Sequence, residues 1–201
     1  MREMSDLPGE RLELDAYLDD FDARFADARG AVWKLERRQH FRQPESESWT
    51  AFSEGNWDRA LQLLERSGPG VAAEYRTIAD SGLSVHRVRV VEEPIVPYLQ
   101  WELHSLRIRE QCGEHINVVS ADQVASFEQD EQLPEIVTLG DAVLYQLIYT
   151  DDGILDGAVR VTERAVVEEQ QRFVRALFAR GEPLERVFSR RVVDLPPPHG
   201  Q

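Results

Sequence analysis

A chain of 201 residues with 42% hydrophobic and 30% charged side chains has the length and mix of one globular core with short extensions. Its formal net charge of −14 repels nucleic-acid phosphates, and its densest basic runs, Glu36–His40 and Ser189–Arg191, are short and mixed, so direct DNA or RNA binding is not expected. No apolar run approaches the roughly 18 residues that span a bilayer, and the first residues lack the basic start and apolar stretch of a secretory signal, so a cytoplasmic location without membrane contact is the default.

Leu14, Leu18, Phe21 and Phe25 recur at helical spacing and predict an amphipathic helix over about 11–28, with Asp15, Asp19, Asp20 and Asp22 on its wet side. Gly30 ends it, and 31–38 reads as a short strand in which Trp33 and Leu35 alternate with Lys34 and Glu36. After a loop around Pro44, residues 49–66 are helical with an interruption near Gly55. Ser67-Gly68-Pro69-Gly70 predicts a break before a second helix, 71–79.

Residues 84–104 form the stretch around which the chain is organised, a strand running into a helix. Side chains alternate across a strand, so Arg87 and Arg89 share one face. Pro94 is suited to the first helical turn, where its missing N–H costs nothing, and Pro97 is tolerable only within that turn. Ile95, Leu99, Leu103 and Leu106 supply the buried stripe, while Tyr98 and Glu102, four apart, are neighbours on one helix face. If that face turns toward the two arginines, a charged pocket forms.

Gly113 stops the helix and 115–120 reads as a strand, followed by a short helical segment opened by Ser120 as N-cap. Residues 135–139, 142–150 and 154–162 form three closely spaced strands, with Asp151-Asp152-Gly153 as a hairpin turn. Thr162 is placed to cap a long helix carrying Val166, Val167, Phe173, Val174, Leu177 and Phe178, ended by Gly181 and Pro183. The expected organisation is a flexible 1–10, a single α+β domain over 11–185, and a mobile tail over 186–201 that contains His199. The fold expected is a mixed, largely antiparallel sheet of five or six strands with helices packed on it and a long C-terminal helix.

Motifs that carry chemistry are absent from the sequence. Neither GxxxxGK[ST], GxGxxG nor GxSxG occurs, and the five histidines show no HExxH or HxH spacing. A metal site built from His86, His104 and distant carboxylates is only weakly indicated, and no metal or cofactor is called for. The lone Cys112 permits no internal disulfide and reads as a small, partly buried apolar residue. Among the carboxylates, Glu102 paired with Arg87 or Arg89 is the favoured combination, because a carboxylate facing a sheet needs a cation if buried. The bland reading of that set is a structural ion-pair network. The sharper one is a small-ligand pocket of Arg87, Arg89, Tyr98, Glu102 and Glu36 with aromatic help from Trp33 or Trp101.

RVRVVEEPIVPYLQWEL, DAVLYQLIYTDDGILDGAVRVTERAVVE and the early WKLERRQHF resemble a family of actinobacterial domains of unknown function, over residues of about 20–185. Members are often encoded beside helix-turn-helix regulators, so the resemblance implies a bacterial cytoplasmic protein with a regulatory role; it supplies no catalytic residues. The alternation of strands and helices is also loosely similar to the phospholipase D-like sheet used as a sensor in some regulators. The HxK element of its catalytic forms is missing, since Lys34, the only lysine, follows Val32 two residues earlier. The function expected is therefore a non-enzymatic regulatory or interaction domain that meets a protein partner, plausibly a basic or DNA-binding regulator. The competing expectation is a small-molecule sensor or enzyme using the arginine face.

Overall fold

Leu83–Val91 is a strand with a parallel neighbour on each side and with side chains buried on both of its faces. The computed structural model describes residues 7–129 and 131–198, so Met1–Asp6, Asp130 and residues 199–201, His199 among them, lie outside the described part. In chain order the elements are β1 (Glu10–Glu13), α1 (Leu14–Asp27), β2 (Gly30–Glu36), α2 (Glu47–Ser53), α3 (Trp57–Asp80), β3 (Leu83–Val91), α4 (Pro97–Gln111) and β4 (His115–Ser120). They continue with α5 (Ala121–Val124), a 3-10 turn (Ala125–Phe127), β5 (Ile136–Leu139), β6 (Val143–Tyr149), β7 (Leu155–Val161), α6 (Arg164–Arg180), β8 (Glu182–Pro183) and α7 (Leu184–Arg191).

The α+β architecture and the closing helices are as expected, but the sheet has eight strands rather than five or six, in the order β1-β7-β6-β5-β2-β3-β4-β8. It is mixed rather than largely antiparallel: β2, β3 and β4 run parallel to one another, with antiparallel neighbours on both sides. The two strands beyond expectation, β1 and β8, are edge strands of four and two residues, too short for a period-two signal to show. Because β2, β3 and β4 are parallel, α2 and α3 make one crossover and α4 the next.

One face of the sheet is closed by α6, which packs Val166, Val167, Val174 and Leu177 on Leu35, Val88, Val90 and Val119. The other carries α1 over Tyr145, α3 over Val85, and α4 with α7 over Ile116 and Val118. Several expected details shift. In α1 the buried member is Tyr17, and Leu18 is exposed, because Tyr17, Phe21 and Phe25 form the ring stack against Tyr145. Leu7 is buried in the core and Glu10 opens β1, so ordered packing begins before residue 11. At the other end, residues 186–192 are no loose tail: α7 buries Leu184, Val187 and Phe188, and Val192 follows them into the core.

The break predicted at Ser67–Gly70 does not occur; α3 runs through it with Pro69 inside. Proline removes the intrahelical hydrogen bond that would reach the Glu65 carbonyl, and nearby the hydroxyl of Ser67 donates to the Leu64 carbonyl at 2.7 Å. Gly68 faces α4, where a Cβ would stand in ordinary contact, 4.0 Å from Ile108 Cγ2. Tertiary packing against α4 thus overrides the local helix-breaking preference. α4 starts at Pro97, with Pro94 before it in a cis Glu93–Pro94 peptide rather than in the first turn. The N-cap of α6 is Glu163 and not Thr162. Ser120 does open α5, its backbone N–H donating to Gln123 Oε1 at 2.8 Å, and the 151–153 turn does join β6 to β7, with Thr150 N–H donating to the Ile154 carbonyl at 2.8 Å. Among the described residues no helix is long and apolar enough to cross a membrane.

Gly157 shows how tightly the β1 edge is fitted. Its φ is +136°, and a Cβ there would lie 2.2 Å from the Leu12 carbonyl oxygen of β1. Gly157→Ala is therefore expected to destabilise by roughly 2–4 kcal/mol, through backbone strain and loss of β1 pairing. That is about 5–15 °C in the melting temperature of a chain of this size; a calorimetric shift under 2 °C would show that β1 contributes little.

Candidate functional site

The parallel register of β2 and β3 sets Lys34 beside Arg87 and Glu36 beside Arg89. All four side chains leave the sheet on the side covered by α4, as alternation requires. Tyr98 and Glu102, one helical turn apart, look down on them from that helix. Arg89 is completely buried and Arg87 and Glu102 almost so. Arg89 Nε donates to Glu102 Oε2 at 2.7 Å, its Nη1 to the Glu36 carbonyl at 3.1 Å and the Val90 carbonyl at 3.0 Å, and its guanidinium lies 5.8 Å from the Phe41 ring centre. The Tyr98 hydroxyl donates to Glu102 Oε1 at 2.9 Å and accepts from Gln43 Nε2 at 2.7 Å.

Arg87 does not meet Glu102. Its Nη1 donates to Glu36 and its Nε to Glu114 Oε1 at 2.7 Å, and Glu114 also accepts from the Tyr75 hydroxyl of α3. Glu114 was not among the expected residues. It stands between Gly113 and β4, where no periodicity marks it; the one signal that would have found it is that a second buried arginine needs a second carboxylate. A further carboxylate, Glu135, precedes β5 and accepts the backbone N–H groups of Arg37 and Arg38 at 2.9 and 2.7 Å. The Arg37 guanidinium turns away to Glu128 and Glu92.

Burial alone would push every one of these carboxyl groups up, and the surrounding cations decide which ones resist. For Glu36 burial is the largest single influence, but Arg87, Lys34 and Arg89 together outweigh it and hold the group at about 2. Glu114 is likewise held below its ordinary value against its burial, chiefly by Arg87. Glu102 rises, because burial and the charge of Glu36 exceed what Arg89 returns. Glu135, buried with only backbone donors and a more distant Arg89, is pushed up to about 7. Lys34 is lowered by burial and by the nearby Arg87, with Glu36 opposing.

Next to this network is a cavity of about 270 Å³, and Lys34, Glu36, Arg87, Glu102, Arg109 and Tyr149 are among the residues that line it. Glu36 Oε2 is buried without a hydrogen-bond partner, and so is Arg89 Nη2. A second cavity of about 360 Å³ lies between α2, α3 and α4 and shares Gln43, Trp101, Ser105 and Arg109 with the first. Of the expected set, the fold brings together Arg87, Arg89, Tyr98, Glu102 and Glu36. Trp33 is not with them. It lies on the opposite face, stacked on His86 at 4.3 Å and edge-on to Phe178 of α6, with the Arg175 guanidinium 5.2 Å from its ring centre. Trp101 takes the aromatic role instead, its indole N–H donating to Ser48 Oγ at 2.9 Å.

Among the described residues no three His, Cys, Asp or Glu side chains are grouped to hold a metal ion. His86 stacks between Trp33 and His115, while His104 is packed against Trp57 and Phe188. Cys112 is half-buried, its Sγ 3.9 Å from the Gly68 carbonyl. The arrangement can bind a polar molecule through charged and hydrogen-bonding groups; its carboxylates are largely occupied by cations. Comparison with known families gives one match, over residues 19–189, to a model described as a domain of unknown function, DUF6879. No curated protein matches the chain.

Removing one partner of the Arg89–Glu102 pair leaves the other as a buried, uncompensated charge. Arg89→Met and Glu102→Leu are each expected to cost about 3–5 kcal/mol in urea unfolding, and the double variant less than their sum. Full additivity would mean that the two groups do not stabilise one another. Glu135 yields a pH signature. Its proton is held more tightly folded than unfolded, so its contribution is complete below the ordinary carboxylate value of 4.5 and is lost as pH rises through about 7. Wild type is expected to lose on the order of 3 kcal/mol relative to Glu135→Gln between pH 4.5 and 8. Parallel stability curves for the two proteins would refute that raised value.

Proposed function

The chain belongs to the DUF6879 family of domains of unknown function, and we propose that it is a non-enzymatic, ligand-responsive regulatory domain of the actinobacterial cytoplasm. The ligand is a small polar molecule taken into the cavity between β2, β3 and α4. One observation carries the reading: a space of about 270 Å³ kept open beside Lys34, Glu36, Arg87 and Glu102. That volume is near the lower end of the roughly 300–1,000 Å³ usual for small-molecule sites. Buried ion pairs are often no more stabilising than apolar residues of similar volume. Charges retained next to an unfilled space therefore favour recognition over packing as their use. A donor from the ligand would also satisfy the unpartnered Glu36 Oε2.

Binding without turnover is favoured by the state of the carboxylates. A group held at about 2, as Glu36 is, makes a poor base at neutral pH. Glu102 already accepts from Arg89 and Tyr98. The regulatory part of the proposal rests on charge. At −14 the molecule is suited to a basic protein, such as a DNA-binding regulator, and ill-suited to DNA itself. Attraction of this kind speeds encounter more than it tightens the complex.

Ser105 lines both cavities, and Ser105→Trp would fill the space between them. Thermal unfolding with a panel of amino acids, nucleosides and sugar phosphates is expected to yield at least one compound that raises the wild-type midpoint by roughly 5–10 °C at a hundredfold excess over its Kd. The same compound should leave a folded Ser105→Trp protein unmoved. An empty panel, or an equal shift in that variant, removes the reading.

A further inference from the structure

The charges lining the first cavity do not cancel. Arg87 is shared between Glu36 and Glu114, Glu102 is met by Arg89, and Arg42 by Asp152 at 2.6 Å. Five cations, Lys34, Arg42, Arg87, Arg89 and Arg109, thus face four carboxylates, Glu36, Glu102, Glu114 and Asp152, which leaves one positive charge in excess. Lys34 has a single ion-pair contact, 3.6 Å to a Glu36 oxygen already claimed by Arg87. Arg109 makes no ion pair among the described residues, although it is half-buried and lines both cavities. Glu45 also lines the first cavity without a cation, but it is exposed, where solvent screens it. The charge of Arg109 reaches Lys34 and opposes the charged form of its amine. One positive charge in excess, with Arg109 the cation that no carboxylate meets among the described residues, leaves a place for an anion at this cavity.

Beyond Arg109 the chemistry changes. Leu63, Leu64, Val71 and Ile108 line one side of the second cavity, and Gln43, Ser46, Ser48, Ser67 and the exposed Glu47 give it a polar side. Trp101, Ser105 and Arg109 form the wall between the two, and they fall at four-residue steps along α4, which places them in one stripe. Resting on the ligand-binding reading above, we infer that the ligand is an amphiphile. Its anionic head, a carboxylate or phosphate, is held by Arg109 and Lys34, and its uncharged, mostly apolar remainder lies between α3 and α4. A planar guanidinium offers such a head two parallel N–H donors, with Lys34 as a second point charge.

The test uses n-alkyl carboxylates from acetate to octanoate, the n-alkylammonium ions of equal length, and n-octyl phosphate, with tryptophan fluorescence as the readout because Trp101 borders both cavities. Octanoate and octyl phosphate are expected to bind at least tenfold more tightly than octylammonium, and the carboxylates to tighten about threefold to fourfold per added methylene. Arg109→Gln should weaken every anion at least tenfold, and Arg109→Lys should restore part of the loss. Ser67→Phe, which fills only the second cavity, should keep butyrate binding and abolish the dependence on length. Equal binding of octylammonium, anion affinity unchanged in folded Arg109→Gln, or a length dependence that survives Ser67→Phe would each overturn the inference. A metabolite blocked by Ser105→Trp, with no alkyl anion bound, sinks the amphiphile and leaves the cavity reading standing.

Discussion

A guanidinium with no exposure to water is the constraint from which the rest of this molecule follows. Arginine cannot shed its proton in a protein, so a buried Arg89 must be given a counter-charge and acceptors for its donors. Glu102 supplies the charge, and the carbonyls of Glu36 and Val90 supply two acceptors. Those three partners come from a helix, a neighbouring strand and the arginine's own strand. The parallel register of β2 and β3 and the position of α4 over them are thereby tied to one side chain. Arg87 imposes the same demand two residues away and draws Glu36 from β2 and Glu114 from the start of β4. The three parallel strands are joined by charge on this face and by Leu35, Val88, Val90 and Val119 on the other.

A strip of charge down the middle of a helix–sheet interface cannot be filled by interlocking methyl groups. Charged side chains reach outward to their partners along fixed directions, and the space beside them stays open. The apolar clusters at each end, Tyr17 to Tyr145 under α1 and Leu99 to Phe188 under α4 and α7, carry the packing that this strip forgoes. The first cavity is therefore a consequence of where charge stands in the sequence.

Some of this was readable before any coordinates, for reasons that can be named. Alternation put Arg87 and Arg89 on one face, and a four-residue step put Tyr98 with Glu102 on another; neither inference needs knowledge of the fold. Which arginine met Glu102 depended on the axial offset between helix and strand, which no local period encodes. Trp33 and Glu36 are an odd number of residues apart on one strand, so they could not both face the pocket, and only pairing with β3 decided for Glu36. Glu114 was hidden because it belongs to a turn, and turns carry conformational signals rather than facial ones. Pro69 misled in the opposite way: its local penalty is real, but contacts of α3 with the sheet and α4 exceed it. The edge strands β1 and β8 were too short to announce themselves.

Glu36 and Glu135 make the closing point about environment. They sit near one another at neighbouring strand ends, both buried, yet one is held at about 2 and the other pushed up to about 7. Depth below the surface does not separate them. Cations do: Glu36 has Arg87, Lys34 and Arg89 around it, while Glu135 has the neutral dipoles of two backbone N–H groups and only a share of Arg89. Two carboxyl groups set apart in this manner are the usual raw material of acid–base catalysis. In this fold the oxygens of Glu135 are committed to the backbone of Arg37 and Arg38, which start the loop bearing Phe41 and Gln43 over the arginine strip. The raised carboxyl is thus a clasp on the chain leading to the cavity's cover, and its protonation is coupled to the same arginine that fixes the helix beneath.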